Sequence, residues 1–215
     1  MQGYLAAKAA GADEIAVFAA ASEAFSQKNI NCSIAESIER FRPVVDLARA
    51  HGKRVRAAVS CALGCPIQGA VSADAVDDVV QRLVDLGVDH VGLADTIGVG
   101  TAGQVSRVME RTLRRLPAER ISGHFHDTYG QALANILACL EEGVAVVDSA
   151  VAGTGGCPYA RGASGNVASE DVVYMLQGMG IETGVDLDRL VETGRWLAQR
   201  LGRESGSKVA RARAA

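Results

Sequence analysis

At 215 residues the chain is long enough for one domain, and 48% hydrophobic with 22% charged residues excludes a disordered composition. A formal net charge of −3 gives no electrostatic reason to expect nucleic acid as a partner. No run of about 18 apolar residues occurs, so no membrane span is expected, and the opening MQGYLAAKAAGADEI lacks the charged-then-apolar order of a signal peptide.

In chain order, a helix-like GYLAAKAAG opens the sequence and the first apolar run, EIAVFAA (14–20), follows it. Helical periodicity covers 33–50, and RVRAAVSC (54–61) is the second strand. In the next helix, 72–86, Val76, Val79, Val80 and Leu83 fall at i, i+3, i+4 and i+7 and form one apolar stripe. The strand HVGLADT (90–96), a helix over 102–115, the strand ISGHFHD (121–127), a helix over 130–142 and the strand VAVVDSAVAG (144–153) complete the alternation. Gly52, Gly87 and Gly143 close the helices that precede strands. A glycine-rich stretch then leads into a helix at SEDVVYMLQG, and the basic end KVARARAA belongs to a flexible tail over 203–215, outside a domain spanning 1–202.

Strand and helix alternating at this spacing imply βαβ units and a parallel sheet. Polar residues gather at the C-terminal ends of the strands: Ser60 and Cys61, Asp95 and Thr96, His124 to Thr128, Asp148 and Ser149. Active sites of α/β barrels sit at that edge. GVGTAG (98–103) has glycines at the wrong spacing for a dinucleotide fingerprint and follows the third strand, which weighs against a Rossmann fold. The expected fold is α/β, of the (β/α)8 TIM-barrel family. It is read as an incomplete barrel of about five βα units plus C-terminal helices, with three units of the eight absent from the front.

Five cysteines, Cys32, Cys61, Cys65, Cys139 and Cys157, are an odd number in a chain without an export signal, which points to reduced thiols and a cytoplasmic protein. Cys61 and Cys65 lack a second pair at zinc-like spacing.

On a strand His124 and His126 point to the same face, where they either share a metal ion or hydrogen-bond in a polar barrel mouth. VAGTGGCPYARGASGN (151–166) has the make-up of a mobile lid. Within it Cys157 is either a proton donor or nucleophile, or a small packed residue. Asn166 either caps the next helix or offers an amide oxygen to a metal. Asp95 is either a general acid or base or a carboxylate that binds loop amides.

VSCALGCP (59–66), DTIGVGT (95–101), HFHDTYGQALANI (124–136), the long run VVDSAVAGTGGCPYARGASGNVASEDVVYML (146–176), SKVA (207–210) and SQKNINCSIAES (26–37) together resemble the 3-hydroxy-3-methylglutaryl-CoA lyase family. The resemblance runs from Gly3 to Ala210. It implies a lyase that splits 3-hydroxy-3-methylglutaryl-CoA into acetyl-CoA and acetoacetate, a step of leucine degradation and ketone-body formation. It makes His124, His126 and Asn166 ligands of a divalent metal, Mg2+ or Mn2+. Cys157 becomes the proton donor to the enolate, and Asp95 an acid that handles the substrate's hydroxyl proton. Its partners are then an acyl-CoA substrate and a second copy in a homodimer.

The chain also departs from that pattern. The family's Arg-Asp-Gly, which supplies a metal-ligating Asp and an enolate-stabilising Arg, does not occur in these 215 residues. Ala58 stands where the family usually has Tyr, and Gly92 where it commonly has Ser. The chain alone is therefore expected to be weakly active or inactive. The alternatives are another hydroxyacyl-CoA lyase, an acyl-CoA condensing enzyme, or a non-catalytic paralogue.

Overall fold

A computed structural model describes residues 1–156, 158–159 and 165–213. Strands β1 (Glu14–Ala20), β2 (Arg54–Ser60), β3 (His90–Asp95), β4 (Ile121–Phe125) and β5 (Val146–Asp148) form one parallel sheet in chain order. Each connection carries helix: α2 (Glu23–Ile30) and α3 (Ile34–Ala50) after β1, α4 (Ala73–Leu86) after β2, α5 (Ala102–Thr112) after β3 and α6 (Ala132–Glu141) after β4. A short helix, α1 (Gln2–Ala9), precedes β1, while α7 (Ser169–Gly178), α8 (Leu187–Arg200) and α9 (Lys208–Ala212) follow β5. The alternation expected of an α/β barrel wall is what forms.

Local chemistry explains the boundaries. Ser72 caps α4 by accepting from the Ala75 N–H, and Gly87 ends it in the left-handed region at φ 91°. The stripe of Val76, Val79, Val80 and Leu83 is fully buried under the sheet, so truncating Leu83 to Ala would cost about 2–5 kcal/mol.

The two faces of the sheet differ because side chains alternate. On β2, Val55, Ala57 and Val59 are buried beneath the helices, whereas Arg56, Ala58 and Ser60 face the other way. That second face borders a cavity of about 420 Å³ lined by residues of all five strands, among them Phe18, Arg56, Ala58, Gly92, His124 and Asp148. It is the lumen side of the barrel wall.

Two expectations are corrected. The last strand is not 144–153: only Val146–Asp148 pairs with β4, and the chain then enters a 3₁₀ turn at Val151–Gly153. Ala152 there adopts φ 56°, and both oxygens of the buried Glu170 accept its N–H at 3.0 Å. Residues 203–213 of the expected flexible tail are not free either. Ser207 caps α9 and donates to Asp171 at 2.7 Å, and the N–H groups of Lys208 and Val209 donate to the same carboxylate. A buried carboxylate taking three donors docks what composition read as a solvated end. No helix among the described residues is long and apolar enough to cross a membrane.

Candidate functional site

The rim of the lumen at the end of β4 holds both histidines of the His-x-His pair. Their ring centroids lie 5.5 Å apart. His124 is the last lumen-facing residue of the strand, and His126 lies beyond its end. Burial first, and the neighbouring His124 charge second, push the His126 pKa down to about 4. A neutral imidazole results, which is the form that ligates metals. Its buried Nδ1 has no hydrogen-bond partner.

The backbone of His126 pairs with Asn166 across an antiparallel bridge, and the nearby Asn166 side chain pulls the His126 pKa up against burial. Asn166 Nδ2 donates to the Thr154 carbonyl at 2.9 Å, which leaves the amide oxygen as the acceptor end. Asn166 is not a helix cap: Ala168 holds that position on α7. Glycine is required for this return of the chain. Gly165 has φ +94°, and a Cβ there would collide with the Gly155 carbonyl oxygen.

His124, His126 and Asn166 are thus brought together. Among the described residues no group of three His, Cys, Asp or Glu gathers as a cation cage. The donors present are two imidazoles, that of His126 neutral, and an amide oxygen, a set that suits a divalent ion with coordination positions left for water or substrate oxygens. The unpartnered imidazole nitrogen of His126 fits that use.

Two residues with no role evident from the sequence meet beneath the rim, Arg56 and Asp148. Asp148 Oδ2 accepts from Arg56 Nη2 at 2.6 Å and sits 3.2 Å from His124 Nδ1, and Arg56 Nη2 also donates to Ser122 Oγ at 2.9 Å. Burial opposes the Asp148 charge, but the hydrogen bonds from His124 and Arg56 outweigh it and hold the carboxyl below its usual range. The available signal was a basic residue at a lumen-facing position of an apolar strand, with an acid three strands further on at the end of its own strand.

Asp95 is fully buried at the end of β3. Its carboxylate accepts from the Val99 and Gly100 N–H groups at 3.1 and 2.8 Å, so it shapes the loop behind the lumen wall. Burial raises its pKa against the pull of those amides and of His124. Its neighbour Thr96 reaches the cavity. Cys157 lies outside the described residues.

A family model described as HMGL-like matches residues 1–197. A Pseudomonas aeruginosa protein named 3-hydroxy-3-isohexenylglutaryl-CoA/hydroxy-methylglutaryl-CoA lyase is 57% identical over 99% of this chain and 71% of its own length. A cytoplasmic 3-hydroxy-3-methylglutaryl-CoA lyase of Danio rerio is 56% identical, and a mitochondrial hydroxymethylglutaryl-CoA lyase of Arabidopsis thaliana is 53% identical. The chain spans 63% and 45% of those two, less than two thirds of their lengths. Among solved structures, hydroxymethylglutaryl-CoA lyase from Pseudomonas aeruginosa superposes with a TM-score of 0.95 at 57% identity, over 99% of this chain and 71% of that one. An HMG-CoA lyase from Acinetobacter baumannii, in complex with coenzyme A and 3-methylmalate, gives a TM-score of 0.93 at 36% identity, over 98% and 69%.

Proposed function

The chain belongs to the HMGL-like family, and on that premise we propose that it carries the site of a carbon–carbon lyase acting on 3-hydroxy-3-methylglutaryl-CoA. In this retro-Claisen reaction the tertiary hydroxyl loses its proton and the C2–C3 bond breaks. The bonding pair passes into the thioester enolate, which takes up a proton to become acetyl-CoA, and acetoacetate is the other product. What supports the reading is the convergence of His124, His126 and Asn166 at the lumen mouth.

A divalent cation held by these three residues, Mg2+ or Mn2+, would make the tertiary hydroxyl more acidic by stabilising the charge left on its oxygen. His126 contributes a desolvated, neutral ring, and Asn166 ties the glycine-rich loop to it. The resemblance assigns the hydroxyl proton to Asp95, but its carboxyl is buried and fixed by two loop amides behind the lumen wall, and its proposed role is to shape that loop. Cys157 is the group proposed to protonate the enolate. These 215 residues contain no Arg-Asp-Gly. Losing one donor to a developing oxyanion costs on the order of 10²–10³ in rate, so the chain by itself is proposed to turn over slowly. The test is to incubate the chain, and any longer product of the same reading frame, with 3-hydroxy-3-methylglutaryl-CoA and Mn2+ or Mg2+. Acetoacetate and acetyl-CoA are expected, and their absence from every form sinks the assignment.

One observation favours a second, broader substrate. The lumen wall is built from Ala16, Ala58, Gly92 and Ala94, with Phe18, Phe25 and Tyr159 adding apolar surface. Such a wall leaves room for a C3 branch longer than methyl, and each further buried CH₂ is worth about 0.8 kcal/mol. The isohexenyl substrate in the name of the Pseudomonas relative has such a branch. We propose that this site accepts it too. Comparable kcat/KM for the two thioesters is the expected result.

A further inference from the structure

The geometry points to Asp148 as the positioning residue of His124: it fixes the ring with its proton on Nδ1 and presents Nε2 to the lumen, and Arg56 anchors it from β2. The purpose of this arrangement rests on the cation reading above; its geometry does not. A carboxylate has no proton to donate, so the 3.2 Å contact between Asp148 Oδ2 and His124 Nδ1 is a hydrogen bond only when Nδ1 carries the proton. The remaining ring nitrogen is then the one with a lone pair. Metal-binding histidines are commonly oriented in this way by a carboxylate on the far nitrogen.

The anchoring is a property of the whole sheet. Arg56 stands on β2, and its guanidinium crosses β3 to reach Ser122 on β4 and Asp148 on β5. The crossing passes over Gly92, the register partner of Ser122. A Cβ on residue 92 would lie 2.9 Å from Ser122 Oγ and 3.3 Å from Arg56 Nη2. Gly92 puts no side chain in the path of the guanidinium, and β4 places the Ser122 hydroxyl in its reach. Arg56 therefore donates to one hydroxyl and one carboxylate at once. Asp148, in register with His124 on the adjacent strand, is held at the height of the ring.

Both donors converge on one oxygen, Asp148 Oδ2, so an asparagine whose amide oxygen sits there keeps both hydrogen bonds. This separates positioning from bulk and from charge. The experiment is a long-range proton–nitrogen correlation spectrum of the imidazoles above their titration range, with His124 assigned by its loss in His124→Gln, together with a Mn2+ titration of the same samples. In the wild type His124 is expected as the Nδ1–H tautomer. Asp148→Ala should shift it towards Nε2–H and weaken Mn2+ binding about 10–100-fold. Asp148→Asn should keep the tautomer and most of the affinity. Arg56→Gln leaves the carboxylate in place but unanchored and should give mixed tautomers, which tests the same geometry without touching β5. A wild-type His124 protonated on Nε2, or a tautomer unmoved in Asp148→Ala, overturns the proposal. The expected tautomers without Mn2+ binding in the wild type uphold the positioning and overturn the cation reading instead.

Discussion

His126 and Asn166 face each other across an antiparallel backbone bridge, in which the Asp127 N–H donates to the Gly165 carbonyl and the Val167 N–H to the Phe125 carbonyl. The glycine-rich loop is thereby stapled to the very residue whose ring is buried, neutral and unpartnered at Nδ1. The loop and the histidine pair form one unit, and changes to either should be felt at the same place.

His124→Ala and His126→Ala should each abolish Mn2+ binding and lower cleavage by about 10²–10³, since cation stabilisation of this kind is worth several kcal/mol. Asn166→Ala removes one neutral ligand and should cost about tenfold in affinity. A chelator should stop the reaction and added Mn2+ or Mg2+ restore it. Calorimetric titration alongside product analysis checks all three variants. Undiminished affinity in either histidine variant would exclude these residues as ligands.

Replacing Cys157 by Ala should leave Mn2+ affinity unchanged while reducing cleavage by about 10²–10⁴, the range of a positioned proton donor. Serine should rescue little, because its hydroxyl is a far weaker acid at neutral pH. Parallel metal titrations and product assays separate this outcome from loss of the site.

Ala58→Tyr narrows the lumen wall. It should cut kcat/KM for a long C3 branch by at least about tenfold, the scale of one or two buried methylenes, and leave the methyl substrate nearly untouched. Equal losses on both thioesters would mean that residue 58 does not select the branch.

Gly92→Ser should crowd Ser122 and the Arg56 guanidinium and destabilise the fold by about 1–3 kcal/mol. Combining it with Ser122→Ala moves the hydroxyl from β4 back to β3 and should recover most of that loss. Urea unfolding of the two single variants and the double variant measures the coupling directly. Additive losses would show that the two positions do not share one space.

Glu170 is fully buried, and burial raises its carboxyl pKa against the hydrogen bonds it accepts. A folded-state pKa above the unfolded value means that the native state binds the proton more tightly. The associated stability is full below the unfolded pKa and is lost as pH rises through the folded one. Glu170→Gln cannot ionise, so in urea unfolding its stability relative to wild type should grow as pH rises above the ordinary carboxylate range. A difference that stays flat or shrinks as pH rises from that range contradicts the assignment.

Much of this was legible in the residues. Val76, Val79, Val80 and Leu83 at helical spacing, closed by Gly87, defined α4, because an amphipathic stripe and a left-handed cap are local requirements. Alternation on a strand put His124 on the lumen face. The longest misreading, the strand over 144–153, came from a β-branched run whose end is decided by Glu170 capturing the Ala152 N–H from a distant helix. The docked α9 was hidden in the same way, since Ser207 and Lys208 look like a solvated end until Asp171 is brought beneath them.

Period and composition, which act over a few residues, determined the α/β alternation, the polar strand ends and the His-x-His pair. Only the tertiary structure decided that Asn166 turns to His126 instead of capping α7, that Asp95 faces loop amides, and that Arg56 crosses β3 and β4 to hold Asp148 against His124. The physical reason is that a hydrogen bond between strands depends on register and on an empty space such as Gly92, and neither is visible in the sequence around any one residue.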